Sequence, residues 1–323
     1  MTLLHHDELP IDRELVVQLL HQQFPQFSSD PLEPFGVTGS SNRIFRLGAD
    51  KLVRLPRQAS GSQAIVKEAR WLTVLADELP VQVPEVIELG TPSEVFPYAW
   101  SIVRYLPGER VTSVSDSTVL PLDGLARDLA DFVRCLRRIE VPANAGIDAG
   151  LQHYRGDGLL AYNDQFQANL DQCRNITELA LDYELIQRIW QDALAQSVQN
   201  QSLSDHADNR TAGSSVPAWF HGDLVAENFL LKQNRLSAVL DFGGLGVGDP
   251  SIDLHGVWEL FDTQSREVFR TSVDVDDRQW AIGRAWALAV GLMTFPYYWH
   301  TLPGRVRQRL QMVHNVLLDA KTD

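Results

Sequence analysis

The chain has 323 residues, 44% hydrophobic and 22% charged, which is the make-up of a globular protein with room for two lobes. A formal charge of −14 disfavours a nucleic-acid partner, whose phosphates need a basic surface, and suits a cationic ligand only where acidic groups gather at a site. No run of about twenty apolar residues offers a membrane span. The opening Met1-Thr-Leu-Leu-His-His-Asp-Glu lacks the basic and apolar regions of a signal peptide, so a cytoplasmic protein is expected.

In chain order, Ile11, Leu15, Val16, Leu19, Leu20 and Phe24 recur at helical spacing and predict an amphipathic helix over 11–24. Short β-like pieces follow at 43–48, 51–55, 86–89 and 99–105, the first two joined by the turn residues Gly48-Ala49-Asp50. A helical segment from Ala64 to Leu79 interrupts them. This first part therefore reads as an antiparallel sheet carrying one main helix. Beyond Pro107-Gly108 the pattern turns helical, with an apolar stripe from Val119 to Ile139 and further helices over about 159–176 and 181–197. Cys135 and Cys173 fall within these helices, far apart and outside any metal-ligand spacing, and read as free packed thiols. Residues 198–215 are polar and nearly free of large apolar side chains, and are expected to be a flexible insertion in which His206 is solvated.

The chemistry-bearing segment comes next. It reads Trp219-Phe220-His221-Gly222-Asp223-Leu224-Val225-Ala226-Glu227-Asn228, then two β-like runs, then Asp241-Phe242-Gly243. Phosphoryl transfer needs a carboxylate to orient and deprotonate the attacking hydroxyl, and oxygen ligands for the hard cation Mg²⁺. Asp223, Asn228 and Asp241 supply such groups, although Asp and Asn singly more often cap helices or make turns.

As a set, His-x-Asp-Leu-x-x-x-Asn followed by a hairpin and Asp-Phe-Gly resembles the catalytic loop and metal-binding triplet of protein kinases. Gly248-Asp249-Pro250-Ser251-Ile252-Asp253-Leu254 follows too soon to leave room for a peptide-binding activation segment. In this position it is similar to the aminoglycoside phosphotransferase family, with its macrolide-kinase and choline-kinase relatives. Asp249 with Pro250 is also a natural helix start, and Asp253 suits a first turn or a brace for the loop.

The resemblance implies an α+β, two-lobed, protein-kinase-like fold: a nucleotide-binding lobe over 1–106 with a hinge near 102–107, and a mostly helical catalytic and acceptor-binding lobe over 107–323. It implies Asp223 as catalytic base, Asn228 and Asp241 as Mg²⁺ ligands, and His221, Asp249 and Asp253 as supports of the loop. It further implies phosphate or nucleotide contacts from Ser40, Ser41 and Asn42, from Arg54 paired with Glu68, and from the hinge at Arg104 and Leu106. The family typically carries lysine where Arg54 stands, and Lys51 and Arg57 are alternative cations. ATP or GTP would be the donor. The acceptor would be a hydroxylated small molecule, cationic or not, of the aminoglycoside or macrolide antibiotic type; a metabolite kinase and a nucleotide-binding pseudokinase are the alternatives. Glu259 and Asp262 are the candidate acceptor contacts, with Asp274, Asp276 and Asp277 equally readable as a solvated acidic loop. Trp286, Phe295, Tyr297, Tyr298 and Trp299 form either core or an apolar acceptor wall. No nucleic-acid, membrane or obligate protein partner is expected.

Overall fold

The computed structural model describes residues 9–36, 41–111, 122–152, 154–204 and 217–321; Ser40 and residues 205–215 of the polar segment lie outside them. The chain divides into two compact units. The first comprises Met1–Asp77, Gln82–Gly108 and Ala238–Gly243, and the second Glu78–Val81, Glu109–Ser237 and Gly244–Asp323. The segment holding Asp241, Ala238–Gly243, clusters with the first unit.

The first unit opens with α1 (Arg13–Gln23), whose N-cap Asp12 accepts the Leu15 N–H. Strands β1 (Leu32–Pro34), β2 (Asn42–Leu47), β3 (Lys51–Pro56), β4 (Val86–Gly90) and β5 (Trp100–Arg104) form an antiparallel sheet in the order β1-β2-β3-β5-β4. Gly48 makes the β2–β3 turn at φ +59°, a left-handed backbone that glycine adopts without steric cost. Phe45, Leu47, Val53, Leu55 and Ile102 gather with Val16, Leu19 and Leu20 of α1 into one buried core. Each such side chain contributes roughly 1.5–3 kcal/mol on burial. Helix α2 (Ala59–Leu75) buries Ile65, Glu68, Trp71, Leu72 and Leu75 on one face. A carboxylate inside that apolar stripe demands a cation beside it.

The second unit contains β6 (Glu109–Arg110), α3 (Leu122–Arg138), α4 (Ala149–Gln152), α5 (Gly158–Arg174), α6 (Tyr183–Ser204), β7 (Ala218–Phe220) and β8 (Phe229–Lys232). Strand β9 (Arg235–Val239) starts in this unit and ends in the Ala238–Gly243 segment of the first; β10 (Gly246–Gly248), α7 (Val257–Leu260), α8 (Thr263–Val273), α9 (Asp277–Tyr298) and α10 (Pro303–Asp319) complete the second unit. The β8–β9 hairpin turns through Gln233 and Asn234, both at positive φ. Helix α9 starts with a capping box between Asp276 and Gln279 and is buried on nearly every side, with α5, α6 and α10 packed around it. Helix α6 runs on to Ser204, so the backbone at 198–204 is helical where composition suggests a loop. Nothing in Val198-Gln-Asn-Gln-Ser-Leu-Ser204 is a Gly or Pro that would stop a helix already propagating. Cys135 and Cys173 are free thiols, and burial pushes Cys173 up to about 12. The mixed architecture, a sheet-bearing N-terminal part followed by a helical C-terminal part, is the one expected from the sequence. No described helix is long and apolar enough to cross a membrane.

Candidate active site

Strand β7 pairs antiparallel with β10, Phe220 opposite Gly246, and delivers the chain into the motif. Gly222 stands at φ +82°, and a Cβ there would lie 2.6 Å from the Gly244 carbonyl oxygen, so only glycine fits. The turn is held by one carboxylate. Asp253 Oδ2 accepts the His221 N–H at 2.8 Å and its Oδ1 accepts the Gly222 N–H at 2.7 Å. His221 is fully buried, and its Nδ1 accepts the Asp223 N–H at 3.1 Å, which places the ring proton on Nε2. After Asp223 the chain tightens into a 3-10 turn, Ala226–Asn228. Asn228 Nδ2 then donates back to the Asp223 carbonyl at 2.9 Å and to Asp223 Oδ2 at 3.1 Å. Its Oδ1 makes no hydrogen bond among the described residues. A further close approach supports the loop from behind: a Cβ on Gly256 would sit 1.7 Å from the Leu224 carbonyl oxygen.

Arg155, on the 3-10 turn before α5, points into this loop. Its Nη1 donates to the Gly222 carbonyl and lies 3.3 Å from Asp223 Oδ1. Burial pushes the Asp223 carboxyl up. The Arg155 guanidinium, with smaller contributions from His255, Arg309 and His221, overcomes that and holds it at about 2. Arg155 carries most of this effect at neutral pH, because burial and Arg155 itself push His255 down to about 3 and leave it uncharged. The neutral His255 donates from Nδ1 to the Ile252 carbonyl at 2.6 Å, and its buried Nε2 has no hydrogen bond among the described residues. The Asp223 side chain keeps 35% exposure while Arg155 and Asn228, which hold it, are buried. Burial raises Asp253 to about 6, against the opposing pull of its two N–H donors and of Arg137 and Arg155.

In the first unit, Arg54 on β3 meets Glu68 on α2 through its two terminal guanidinium nitrogens, at 2.6 and 3.4 Å. Both side chains are nearly sealed, at 10% and 2% exposure. Arg54 would lose its charge less readily than in water: burial works against the cation, but Glu68 and then Asp241 outweigh it. Asp241 stands at φ +60° in the same unit, a strained backbone for a non-glycine residue. Its neighbour Gly243 lies against α2, where an added Cβ would be 3.4 Å from Ala64 Cβ. Of the alternative cations, Lys51 is committed to Asp50 at 2.8 Å and Asp30 at 3.6 Å. Arg57 is buried, which pushes its pKa down, and its backbone N–H bonds the Ser41 carbonyl at 3.0 Å. Asn42 is buried at the start of β2 with its Oδ1 unpartnered among the described residues.

The remaining candidates separate. Arg104 pairs its side chain with Glu85 and Asp50, and its N–H bonds the Glu85 carbonyl. Leu106 is half-buried just beyond β5. Asp249 caps the 3-10 turn Pro250–Leu254 by accepting the Ser251 N–H at 2.9 Å. Asp262 caps α8 by accepting the Ser265 N–H at 2.8 Å, and Asp276 caps α9. Glu259 is buried against Arg309 at 2.6 Å. Trp286 and Phe295 are core, whereas Tyr297 is exposed.

Sequence reasoning missed Arg155, His255, Arg305 and Arg309. Arg309 carried a readable signal: it occupies the apolar stripe Val306, Arg309, Met312, Val313, Val316 of α10, where a charge must find a partner. Arg155 carried none, since nothing in its local spacing marks it.

A family model described as the phosphotransferase enzyme family (APH) matches residues 32–287. No curated protein matches the sequence. Among solved structures, the GDP and kanamycin complex of APH(2")-IIia is similar with a TM-score of 0.66 at 21% identity, over 95% of this chain and 98% of that one. ADP-bound APH(2'')-Ib is similar with a TM-score of 0.60 at 21% identity, over 94% and 98%. The apoenzyme of macrolide 2'-phosphotransferase MphH from Brachybacterium faecium gives 0.56 at 20% identity, over 95% and 98%. At these identities the likeness fixes the fold. The family match, running from β1 into α9, fixes the membership: the chain belongs to the phosphotransferase enzyme family, and is a phosphotransferase.

Proposed function

We propose that this protein transfers the γ-phosphate of ATP or GTP to a hydroxyl of a small molecule of the macrolide or aminoglycoside antibiotic type. The observation that carries the reading is the placement of Asp223: its side chain is partly exposed, Asn228 donates to one oxygen and Arg155 to the other, and the Arg155 guanidinium holds the carboxyl below the usual carboxylate range. A carboxylate held that low is a poor proton sink in the ground state. It suits a loose phosphoryl-transfer transition state, in which the hydroxyl proton leaves late and the carboxylate mainly aims the oxygen.

Asn228 and Asp241 would hold Mg²⁺. The fit rests on donor chemistry: the Asn228 amide turns its nitrogen to Asp223, leaving the oxygen free of hydrogen bonds among the described residues. When bound, the ion would neutralise charge on the transferred phosphate. Arg54, oriented by Glu68, would contact the nucleotide phosphates, and the backbone at Leu106 would face the base.

Solved structures similar in fold carry the names of kanamycin, gentamicin and streptomycin complexes and of macrolide 2'-phosphotransferases. Between those acceptor classes the sparsely charged macrolide type is favoured. Glu259 and Asp262, the carboxylates the sequence offers to ammonium groups, are already spent on Arg309 and on the α8 cap. A panel of macrolides, aminoglycosides, choline, homoserine and sugars, assayed with ATP and with GTP in Mg²⁺, tests the reading. Turnover in the ordinary kinase range of about 1–100 s⁻¹ on a macrolide is expected. Efficient turnover on choline or a sugar alone sinks the antibiotic assignment.

A further inference from the structure

Between Asp223 and Asn228 lies Glu227, a residue the mechanism above does not use. Both of its carboxylate oxygens contact Arg305 Nη2, at 2.5 and 2.7 Å, and Arg309 Nη2 stands 3.8 Å from Oε1. Its carbonyl accepts from Arg110 Nη1 at 3.2 Å. The arginines are not loose surface groups: Arg305 is 17% exposed and Arg309 5%, and Arg305 also lies over the Tyr298 ring at 5.2 Å. Exposed pairs are worth little because solvent screens them and the side chains must be ordered, a discount that shrinks when one partner is already buried and held.

We propose that Glu227 is a positioning residue, through which Arg305 and Arg309 of α10 set the catalytic loop; the inference rests on the kinase reading of Asp223. Two effects converge. Glu227 precedes Asn228 directly, so anchoring its side chain and its carbonyl fixes the backbone from which the Asn228 amide reaches Asp223. Glu227 also occupies the Arg305 guanidinium, whose positive field extends to Asp223, whereas Arg309 stays paired with Glu259. Freed of Glu227, Arg305 competes with the acceptor hydroxyl for the Asp223 carboxylate.

The test is a double-mutant cycle of Glu227→Gln and Arg305→Gln, read by kinetics and by the amide resonances of Asp223 and Asn228 in isotope-labelled protein. Each single change is expected to lower kcat about tenfold with the nucleotide KM within about twofold, and the double variant to be no worse than either single. Arg305→Lys should restore part of the loss. The two amide resonances should move in both singles, whatever the acceptor. Variants that melt lower yet keep wild-type kcat, or effects that multiply in the double variant, would overturn the proposal. So would unmoved Asp223 and Asn228 resonances. A wild-type protein that transfers no phosphate to any acceptor would instead overturn the kinase reading, and the resonances would still decide the coupling.

Discussion

A single amide nitrogen, Nδ2 of Asn228, donates to both the carbonyl and the carboxylate of Asp223, at 2.9 and 3.1 Å. The proposed base and the proposed metal ligand are therefore one hydrogen-bonded unit before any ligand arrives. Changes at either are expected to be felt at the other.

Asp223→Asn should fold, melt close to wild type and lose about 10²–10⁴ in kcat, the usual contribution of a general base, with nucleotide affinity within a few-fold. Calorimetry or dye melting alongside steady-state kinetics checks it. A folded variant with near-wild-type turnover would sink the mechanism.

Asn228→Ala removes the two hydrogen bonds that its amide donates to Asp223, and the free amide oxygen, and should lower kcat while raising the Mg²⁺ concentration needed for half-maximal rate. Asp241→Ala should weaken Mg²⁺-dependent nucleotide binding and, unlike Asn228→Ala, leave the Asp223 loop untouched. Titration calorimetry with and without Mg²⁺ separates them; nucleotide affinity of Asp241→Ala that is unchanged in Mg²⁺ refutes the ligand assignment.

Arg54→Ala strands Glu68, 2% exposed, without its cation. Breaking a buried pair by removing one partner costs about 3–5 kcal/mol, so a lowered melting temperature should accompany a higher nucleotide KM and lower kcat. Arg54→Ala with Glu68→Gln should recover stability and leave the kinetic defect. If the double variant recovers activity as well, Arg54 serves the fold and not the phosphates.

Asp253 gives a pH signature. Its folded pKa, raised from 3.8 to about 6, contributes stability that is fully present below 3.8 and lost as pH rises through about 6, on the order of 3 kcal/mol for so buried a group. Asp223, lowered to about 2, has the opposite sign, contributing above 3.8 and losing that contribution as pH falls through about 2. Asp253→Asn cannot accept both loop N–H groups and should cut kcat, but it lacks the titration. The melting-temperature gap to wild type should therefore narrow as pH rises from about 4 to about 6. A gap that is flat or widens over that interval contradicts the assignment.

Much of the fold was legible because its signals are local: the Gly48 turn, the apolar stripe of α3, the hairpin between Asn228 and Asp241. The motif spacing also announced which residues cluster, since Asp223, Asn228 and His221 lie within one tight loop. What lay beyond reach was long-range. Arg155 meets Asp223, and Arg305 meets Glu227, only because helices distant in sequence fold back onto the loop, and no periodicity encodes such pairings. Arg104 shows the same limit: its place at the end of β5 was readable, but its engagement with Glu85 and Asp50 was not. The 198–204 stretch misled by composition, since polar residues without Gly or Pro let α6 continue.

The two N–H groups of the motif turn are satisfied by a carboxylate 31 and 32 residues further along the chain. The shape of the turn is thus not stored in the motif itself. A synthetic peptide spanning residues 217–231 would carry every residue of the loop and hold none of its geometry, because the backbone donors would bond to water. During synthesis the turn cannot take this hydrogen-bonded form until Asp253 has left the ribosome and closed that contact.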